Sequence, residues 1–254
     1  MTLSVEPAPY DQLIELQAEY RAEANCQLIH DSHLRRGIAD GYLFRENSVP
    51  VGFAGIYNRY DPGHINAFYL RPEARRHARA FFTQFIEASS ATHIAAQTNV
   101  PWLLLMLYEF AVEIRAENYL FGDGPATQLP PPNGAIFRKR QEGDQSPDPE
   151  SGFVLEVDGR IVADGGYLTH YNPPFVDLYM QTVESERQKG YSSYLIQELR
   201  RVCREEGRIP AARCNGDNVA SRRTLEKGGL LNCGRLLVGK LADKEDPIAA
   251  TTFV

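Results

Sequence analysis

A basic, glycine-containing turn at the head of an amphipathic segment constrains this chain more than any other feature. The run Arg187-Gln-Lys-Gly190-Tyr-Ser192 opens a segment, residues 191–206, whose apolar residues recur at helical spacing. A loop that turns into a helix N-terminus presents several N–H groups without intrahelical partners, together with the positive end of the helix dipole. Gly190 lets a ligand approach the backbone closely, and Arg187 and Lys189 add positive charge. The run therefore predicts a site for a phosphate-sized anion.

A second motif follows about thirty residues later, Asn218-Val-Ala-Ser221-Arg-Arg-Thr-Leu225-Glu-Lys227-Gly-Gly229-Leu230. Together the two motifs resemble the acyl-CoA signature of the GNAT N-acyltransferase superfamily. The first fits the pattern [Q/R]-x-x-G-x-[G/A], with Ser192 where Gly or Ala is usual. The second fits N-x-x-[S/A]-x-x-x-[Y/L]-x-K-x-G-F, with Leu230 in place of Phe. This resemblance is specific over roughly residues 152–240.

Other phosphate-binding and nucleophile motifs are missing from the sequence. No G-x-G-x-x-G follows a strand-like run, and no G-x-x-x-x-G-K-[S/T] occurs. The nucleophile elbow G-x-S-x-G is absent as well. These absences argue against a dinucleotide-binding protein, a P-loop protein and a serine hydrolase.

Composition sets the outer limits of function. With 254 residues, 43% of them hydrophobic, the chain can bury one large core or two small ones. A net charge of −6 argues against a general nucleic-acid binder. The longest apolar run, residues 100–108, is too short to span a bilayer, and the first residues lack the form of a signal peptide. We therefore expect a cytoplasmic protein with neither nucleic-acid nor membrane partners.

No metal site or disulfide framework is expected. His30 and His33 are three residues apart, but no carboxylate or further His completes a metal site, so we expect surface histidines. The four cysteines lack C-x-x-C spacing, which predicts reduced packing residues: Cys26, Cys203, Cys214 and Cys233.

The order of predicted elements is repeated along the chain. The first half begins with helices within residues 10–39 and continues strand, strand, strand, helix, strand, helix and strand. The predicted ranges are 41–45, 51–57, 64–70, 72–88, 93–97, 102–114 and 119–121. This order resembles a whole GNAT domain. Alanines at 78 and 80 replace the two glycine positions of its loop, and the Cβ of Ala78 would crowd a pyrophosphate, so we expect this half to have lost cofactor binding.

The second half repeats the order after a polar, proline-rich stretch. A strand is predicted at 136–139 within that stretch, and a two-residue Asp158-Gly159 turn joins the next two strands. The predicted ranges are 153–157, 160–169, 175–183, 191–206, 209–214, 218–227 and 230–240. No opening helix pair precedes this half. In the superfamily those helices wall the acceptor site, so here the wall must come from the first half, the connecting segment or a second subunit.

The resemblance implies an α/β (α+β) fold of the GNAT type. It has a mixed, mostly antiparallel central sheet flanked by helices, in two tandem GNAT-like halves. We predict a degenerate GNAT-like domain at residues 1–125, a connecting segment at 126–150 and an acyl-CoA-binding GNAT domain at 151–254.

The resemblance also implies roles for the strand at 175–183. In the superfamily a backbone N–H of this strand holds the thioester oxygen, which makes the amides of residues 180–183 candidates. A side chain earlier on the strand commonly serves as base. Asp177 is placed there, with an exposed strand-edge carboxylate as the alternative reading. Tyr179 lies on the same strand face and either lines the acceptor pocket or packs as an aromatic.

The predicted catalytic residues are thus Asp177 and Tyr179. The usual acid, a Tyr in the second motif, is replaced by Leu225, so Tyr191, Tyr194 or Cys214 protonates the leaving thiolate or no dedicated acid does. The predicted CoA-binding residues are Met180, Thr182, Val183, Arg187, Gln188, Lys189, Gly190, Tyr191, Ser192, Ser193, Asn218 and Ser221.

Two function classes follow. The first is an N-acetyltransferase, which transfers acetyl from the cosubstrate acetyl-CoA to a primary amine of a small molecule or protein without a metal. The second is a non-catalytic acyl-CoA-binding regulator, which the missing Tyr and the altered first half favour. The sequence does not identify the amine acceptor. It also leaves the oligomeric state open, with a homodimer as one option.

Overall fold

The computed structural model describes residues 1–24, 27, 29, 30, 32–170 and 173–242. The chain divides into two compact units. The second unit is Asn118–Gly234, and the first comprises the residues before and after it. This division differs from the predicted boundaries near 125 and 150, because two long strands, β6 (Ala111–Asp123) and β12 (Leu230–Leu241), each contribute residues to both units.

The first unit contains five further strands and four α-helices. In sheet order, β1 to β5 are neighbours, and the second half of β12 pairs antiparallel with β5. The strands are β1 (Leu3–Ala8), β2 (Ala39–Glu46), β3 (Val49–Tyr57), β4 (His64–Leu70) and β5 (His93–Gln97). The helices are α1 (Ile14–Ala24), α2 (Ser32–Arg35), α3 (Ala78–Ala88) and α4 (Pro101–Phe110).

An aromatic core holds the first unit together. Helix α3 buries Phe81, Phe82 and Phe85 completely, which follows from their i, i+1, i+4 spacing on one helix stripe. The ring of Phe81 stacks on Phe44 of β2, with centroids 5.3 Å apart, and Phe82 meets Phe68 of β4 edge to face at 5.0 Å. These contacts fix the helix on the sheet.

The second unit contains five strands of its own and two helices. Its sheet order is β6, β11, β10, β9, β8, β7, and every described pairing is antiparallel except β10 with β11. The strands are β7 (Ala135–Lys139), β8 (Phe153–Val157), β9 (Arg160–Leu168), β10 (Phe175–Thr182) and β11 (Ile209–Asn215). The helices are α5 (Tyr191–Glu205) and α6 (Val219–Lys227).

The predicted fold class is confirmed as a mixed, mostly antiparallel sheet flanked by helices. The Asp158-Gly159 turn has positive φ at both residues, 49° and 74°, as a two-residue hairpin requires. Helix α5 buries Leu195, Leu199 and Cys203 completely, as its periodicity predicts. No helix in the described ranges is long and apolar enough to cross a membrane.

Three local predictions were wrong or incomplete. Strand β1 was not predicted, and it exists because it pairs antiparallel with β2. The helix predicted at 102–114 ends at Phe110, where Ala111 turns to an extended backbone and starts β6. His30 is buried, and its Nδ1 and that of His33 both hydrogen-bond the Tyr57 hydroxyl, so they are not surface histidines.

The cysteine prediction holds for two of the four residues. Cys203 and Cys214 are buried in the core of the second unit, whereas Cys233 is exposed. Cys26 lies outside the described residues.

Arg200 of α5 is the most heavily bonded buried side chain of the second unit. It is 1% exposed, and its Nε donates to Asp123 Oδ1 at 2.9 Å. Its terminal nitrogens donate to the carbonyl oxygens of Gly228, Gly124 and Pro125 at 2.6, 2.8 and 2.9 Å. Burial lowers the pKa of Arg200, and Asp123 opposes that shift. The guanidinium thereby ties α5 to the end of β6 and to the turn after α6.

Replacing Arg200 should destabilise the second unit strongly. Arg200→Met removes the buried one of the two guanidinium groups that bond Asp123, Arg204 being the other, and leaves three carbonyl oxygens without this donor. We therefore expect a loss of about 3 kcal/mol in the free energy of unfolding. Arg201→Met is the matched control. Arg201 is on the same helix but is 52% exposed and pairs with Glu198 and Glu205 at the surface, where such pairs contribute about 0.5 kcal/mol. Urea unfolding measures both; equal effects would contradict the assigned role.

Candidate active site

The parallel strands β10 and β11 are paired over only part of their length. They pair only from Phe175 opposite Ile209 to Asp177 opposite Ala211. Beyond that point β10 continues alongside β9, whereas β11 pairs antiparallel with β6 from Ala212 onward. A gap therefore opens between residues 178–182 and 212–215.

A cleft of about 890 Å³ occupies this region. It is lined by β10, by the loop before α5, by the first turn of α5 and by α6. The lining residues are Leu178, Tyr179, Met180, Gln181, Thr182, Glu186, Arg187, Gln188, Gly190, Tyr191, Ser192, Ser193, Arg213, Asn218, Ala220, Ser221, Arg223, Thr224, Leu225 and Lys227. All the predicted CoA-binding residues except Val183 and Lys189 are among them. Of the two predicted catalytic residues, Tyr179 lines the cleft and Asp177 does not.

The loop before α5 has the backbone form that the sequence predicts. Gln188 and Gly190 both have left-handed φ, 66° and 87°, and α5 starts at Tyr191. A Cβ at Gly190 would meet no protein atom within 4 Å, so the space beside it belongs to the cleft. Ser192 in the first turn hydrogen-bonds the hydroxyl of Thr182 on β10. The first-turn N–H groups, which lack intrahelical acceptors, thus lie beside the cleft.

Positive charge predominates along the cleft. Glu186 is the only carboxylate among its lining residues in the described chain, and it accepts from Lys189 at 2.8 Å, which lowers the pKa of Glu186. Arg222 is directed away and donates to the Tyr119 hydroxyl at 2.9 Å. The basic lining residues are Arg187, Arg213, Arg223 and Lys227. Such a surface suits a polyanion such as the phosphates of CoA.

Asn218 has a structural task in addition to its place in the cleft. It is the N-cap of α6, and its Oδ1 accepts from the N–H of Ser221 at 2.9 Å. This bond satisfies one of the helix's first N–H groups and sets the direction of α6 along the cleft. The Asn-x-x-Ser spacing of the second motif is thereby explained.

The amide of Val183 is not available to a ligand. It donates to the carbonyl oxygen of Val162 on the neighbouring side of the sheet at 3.0 Å. Successive N–H groups of a strand point to opposite sides, so the amides of Met180 and Thr182 point toward the gap instead. Of the amides of residues 180–183, which were predicted to hold the thioester oxygen, those of Met180 and Thr182 remain candidates.

Asp177 is neither exposed nor in the cleft. It is 5% exposed, and its Oδ2 accepts from Nε of Arg213 at 3.1 Å. The reading of Asp177 as an exposed strand-edge carboxylate is therefore wrong. Arg213 lines the cleft and Asp177 does not, and the role of Asp177 as general base stays a prediction.

A segment between β7 and β8, residues 140–152, covers the sheet next to Tyr179. Arg140 holds this segment together by donating to the carbonyl oxygen of Asp148 at 2.7 Å, and the Asp148 N–H donates to the buried Asp164 of β9 at 2.8 Å. The hydroxyl of Tyr179 lies 3.5 Å from the carbonyl oxygen of Glu150. The C-terminal part of the predicted connecting segment therefore lies beside Tyr179, and the source of the acceptor-site wall stays a prediction.

The hydroxyl of Tyr179 is held in its neutral form. Burial raises its pKa, and the carboxylates of Asp148, Asp164 and Glu150 raise it further. Burial likewise raises the pKa of Asp164. Tyr179 itself lines the cleft, with its hydroxyl directed toward the 140–152 segment.

The three candidates for protonating the leaving thiolate differ in whether they line the cleft. Tyr191 lines the cleft, whereas Tyr194 and Cys214 do not. Leu225, at the position of the usual Tyr, lines the cleft but is 1% exposed and packed in the core. No cluster of three or more metal-ligating side chains occurs among the described residues.

The corresponding loop of the first unit is built differently. Residues 72–77 form a 3-10 helix that runs into α3, and no residue from 71 to 88, all of which are described, has a positive φ. Arg71 donates to Glu19 at 2.7 Å and Arg76 to Glu46 at 3.1 Å. Arg75 pairs with Glu23. The arginines of this loop are thus already paired with carboxylates.

The comparisons with known proteins concern the family and the fold. Residues 11–124 match the family model described as an acetyltransferase (GNAT) domain. No curated protein matches the chain. An acetyltransferase of the GNAT family from Colwellia psychrerythraea is 15% identical, with a TM-score of 0.77 over 95% of this chain and 100% of that one.

Two further solved structures share the fold. A tandem GNAT protein from the clavulanic acid biosynthesis pathway is 13% identical, with a TM-score of 0.62 over 96% of this chain and 100% of that one. A GCN5-related N-acetyltransferase from Sphaerobacter thermophilus is 15% identical, with a TM-score of 0.59 over 96% and 97% of the two chains. The family match lies in the first half, where the sequence resemblance rested mainly on element order. Residues 11–124 thus match a GNAT acetyltransferase domain by sequence, and the chain as a whole shares the fold of these solved GNAT structures.

Proposed function

We propose that this protein is an N-acetyltransferase that binds acetyl-CoA in the cleft of the second unit and transfers the acetyl group to a primary amine. One observation carries the proposal. The left-handed loop at Gly190, the start of α5 and the gap between β10 and β11 all border a single basic cleft. This cleft offers a phosphate site at one place and unpaired strand amides at another.

The phosphates of CoA would bind the first-turn N–H groups of α5, with Arg187, Arg223 and Lys227 nearby. The thioester would lie in the gap, where the amides of Met180 and Thr182 can donate to its oxygen as negative charge develops. The acceptor amine would attack from the strand face that carries Tyr179.

The amine would enter the reaction in its neutral form. Glu186, the one carboxylate that lines the cleft in the described part of the chain, bonds Lys189, and Asp177 behind the cleft bonds Arg213. Deprotonation would therefore occur in solution or through water rather than by a dedicated side chain. Thiolate departure would use water or Tyr191.

The first unit would not bind acetyl-CoA. Its loop lacks a left-handed residue and its arginines already pair with carboxylates, so a phosphate would meet repulsion. Titration calorimetry with acetyl-CoA should give one site per chain.

A non-catalytic acyl-CoA-binding regulator is the second candidate, because the buried Leu225 offers no proton at the position where the superfamily has its acid. Release of free thiol from acetyl-CoA over a panel of amines distinguishes the two. An enzyme gives amine-dependent thiol release, and a regulator binds acetyl-CoA without it.

Substitution of Gly190 should abolish CoA binding. Gly190→Val places a branched side chain in the cleft and disfavours φ = 87°, so the first-turn N–H groups lose their close approach to phosphate. We expect acetyl-CoA affinity to fall by roughly a hundredfold or more, since each charge-assisted bond contributes about 1.5–3 kcal/mol.

Gly207→Val is the matched control. Gly207 follows the opposite end of α5 and has φ = 71°, and a Cβ added there would likewise meet no protein atom within 4 Å, but it does not line the cleft. The control should lose stability while keeping its acetyl-CoA affinity. An equal loss of affinity in both variants, measured by calorimetry, would show that strain alone explains the effect.

The pH dependence of turnover should contain no contribution from ionisation of the Tyr179 hydroxyl. Its pKa is raised above the usual value of about 10, and a phenol keeps its proton below its pKa, so its protonation state does not change between pH 6 and 9. Turnover of Tyr179→Phe relative to the unsubstituted protein should therefore be a constant ratio over this range. A ratio that varies with pH would show that Tyr179 titrates there and plays another role.

A further inference from the structure

Asp164 is a buried carboxyl group that the proposed reaction does not use. It lies on β9 opposite Gln181 of β10, so its side chain is on the same face of the sheet as that of Tyr179. The residue is 0% exposed and does not line the cleft. Burying a carboxyl group is costly unless polar groups bond it. The groups that bond Asp164 therefore show which part of the unit it holds in place.

The hydrogen-bond partners of Asp164 in the described chain belong to the 140–152 segment. The N–H of Asp148 donates to Oδ2 of Asp164 at 2.8 Å. Burial raises the pKa of Asp164, and the bonds from the Asp148 N–H and the Ser146 hydroxyl oppose that rise. A bond from a backbone N–H to a carboxylate is stronger than one between neutral groups. Asp164 thus attaches the segment to β9 at Asp148.

Asp148 is also the residue through which this end of the segment is bonded to itself. Its carbonyl oxygen accepts from Nη1 of Arg140 at 2.7 Å and from the N–H of Ser151 at 3.2 Å. Its Oδ1 accepts from the N–H of Glu150 at 2.9 Å. Both backbone donors follow Asp148 within three positions. The position of Asp148 therefore determines that of residues 149–151.

The same end of the segment contacts Tyr179. The Tyr179 hydroxyl lies 3.5 Å from the carbonyl oxygen of Glu150. On the other side, Tyr179 is opposite Gly166 of β9, and a Cβ added to Gly166 would lie 2.8 Å from the hydroxyl oxygen. The phenol is therefore confined between β9 and the segment, while Tyr179 also lines the cleft.

We propose that Asp164 is a positioning residue for the acceptor site. By holding Asp148 on β9, it keeps residues 148–151 against Tyr179, and these residues form the wall that an acceptor amine meets beside the thioester. Asp164 acts through the segment and touches neither substrate. The inference rests on the proposed acetyltransferase function and adds the source of the acceptor-site wall and the residue that fixes it.

Asp164→Val tests the attachment. Valine has nearly the shape of aspartate but accepts no hydrogen bond, so the Asp148 N–H loses its partner. Thiol release from acetyl-CoA, with phenethylamine, cadaverine, lysine and phenylalanine as probe amines, gives kcat and KM for both substrates. We expect kcat/KM for the amine to fall roughly ten- to a hundredfold, mainly through KM, because small displacements of a positioning group have effects of this size. The KM of acetyl-CoA should stay unchanged.

Two further variants separate positioning from general destabilisation. Asp164→Asn keeps an oxygen that accepts from the Asp148 N–H, so it should retain most of the kcat/KM for the amine. Asp144→Val is the matched control. Asp144 belongs to the same segment, but it accepts from Arg138 of the edge strand β7 at 2.7 Å and has no described contact with Tyr179. This control should keep the amine KM of the unsubstituted protein.

Hydrogen exchange examines the wall itself. In Asp164→Val, the amides of Asp148, Glu150 and Ser151 should exchange faster than in the unsubstituted protein. In the unsubstituted protein with CoA bound, the probe amine of highest kcat/KM should slow exchange at Glu150 and Ser151 when added at saturation. The second measurement applies even where Asp164→Val does not fold.

The outcomes separate the two claims. Absence of thiol release with every amine, despite acetyl-CoA binding, would contradict the proposed function and the acceptor site with it. Faster exchange at Asp148 with an unchanged amine KM would overturn the positioning role and leave the function standing. The role would also be overturned by equal losses for amine and acetyl-CoA, by an equal loss in Asp144→Val, or by amine binding that leaves exchange at Glu150 and Ser151 unchanged.

Discussion

The early end of pairing between β10 and β11 is the constraint on which the rest of the second unit depends. Had the parallel ladder continued beyond Asp177 and Ala211, the amides of Met180 and Thr182 would bond β11 and no cleft would exist. Because β11 leaves to pair with β6, these amides face open space instead. The Asp177–Arg213 ion pair lies where the pairing of the two strands ends, and Arg213 lines the gap with a positive charge.

The two units show how one strand arrangement supports different chemistry. Both have a parallel pair that ends early and a helix that follows the longer strand. In the second unit a left-handed glycine opens the helix start to a basic cleft. In the first, a 3-10 helix and Arg–Glu pairs occupy the same position. The family match falls on residues 11–124, whereas the glycine loop and the basic cleft lie in the second unit.

Sequence reasoning succeeded where the determinants are local. The turn at Gly190, the helix predicted at 218–227 and the periodicity of α5 each depend on residues close together in the chain, and the structure has all three. It failed where partners are remote. Nothing adjacent to Asp177 in the sequence indicates its ion pair with Arg213, which lies 36 positions away. Likewise, no local pattern indicates that residues 3–8 form a strand paired with β2. The alternation along β11, polar at Arg213 between buried Ala212 and Cys214, was the one available signal of a residue facing away from the core.

Hydrogen exchange with and without acetyl-CoA tests the central claim most directly, because it reports on individual backbone amides. The account predicts that acetyl-CoA protects the amides of residues 190–193 and those of Met180 and Thr182, while the amide of Val183, already bonded in the sheet, and those of residues 77–81 exchange as before. Protection at residues 77–81, or none at residues 190–193, would contradict the assignment of the acyl-CoA site to the second unit.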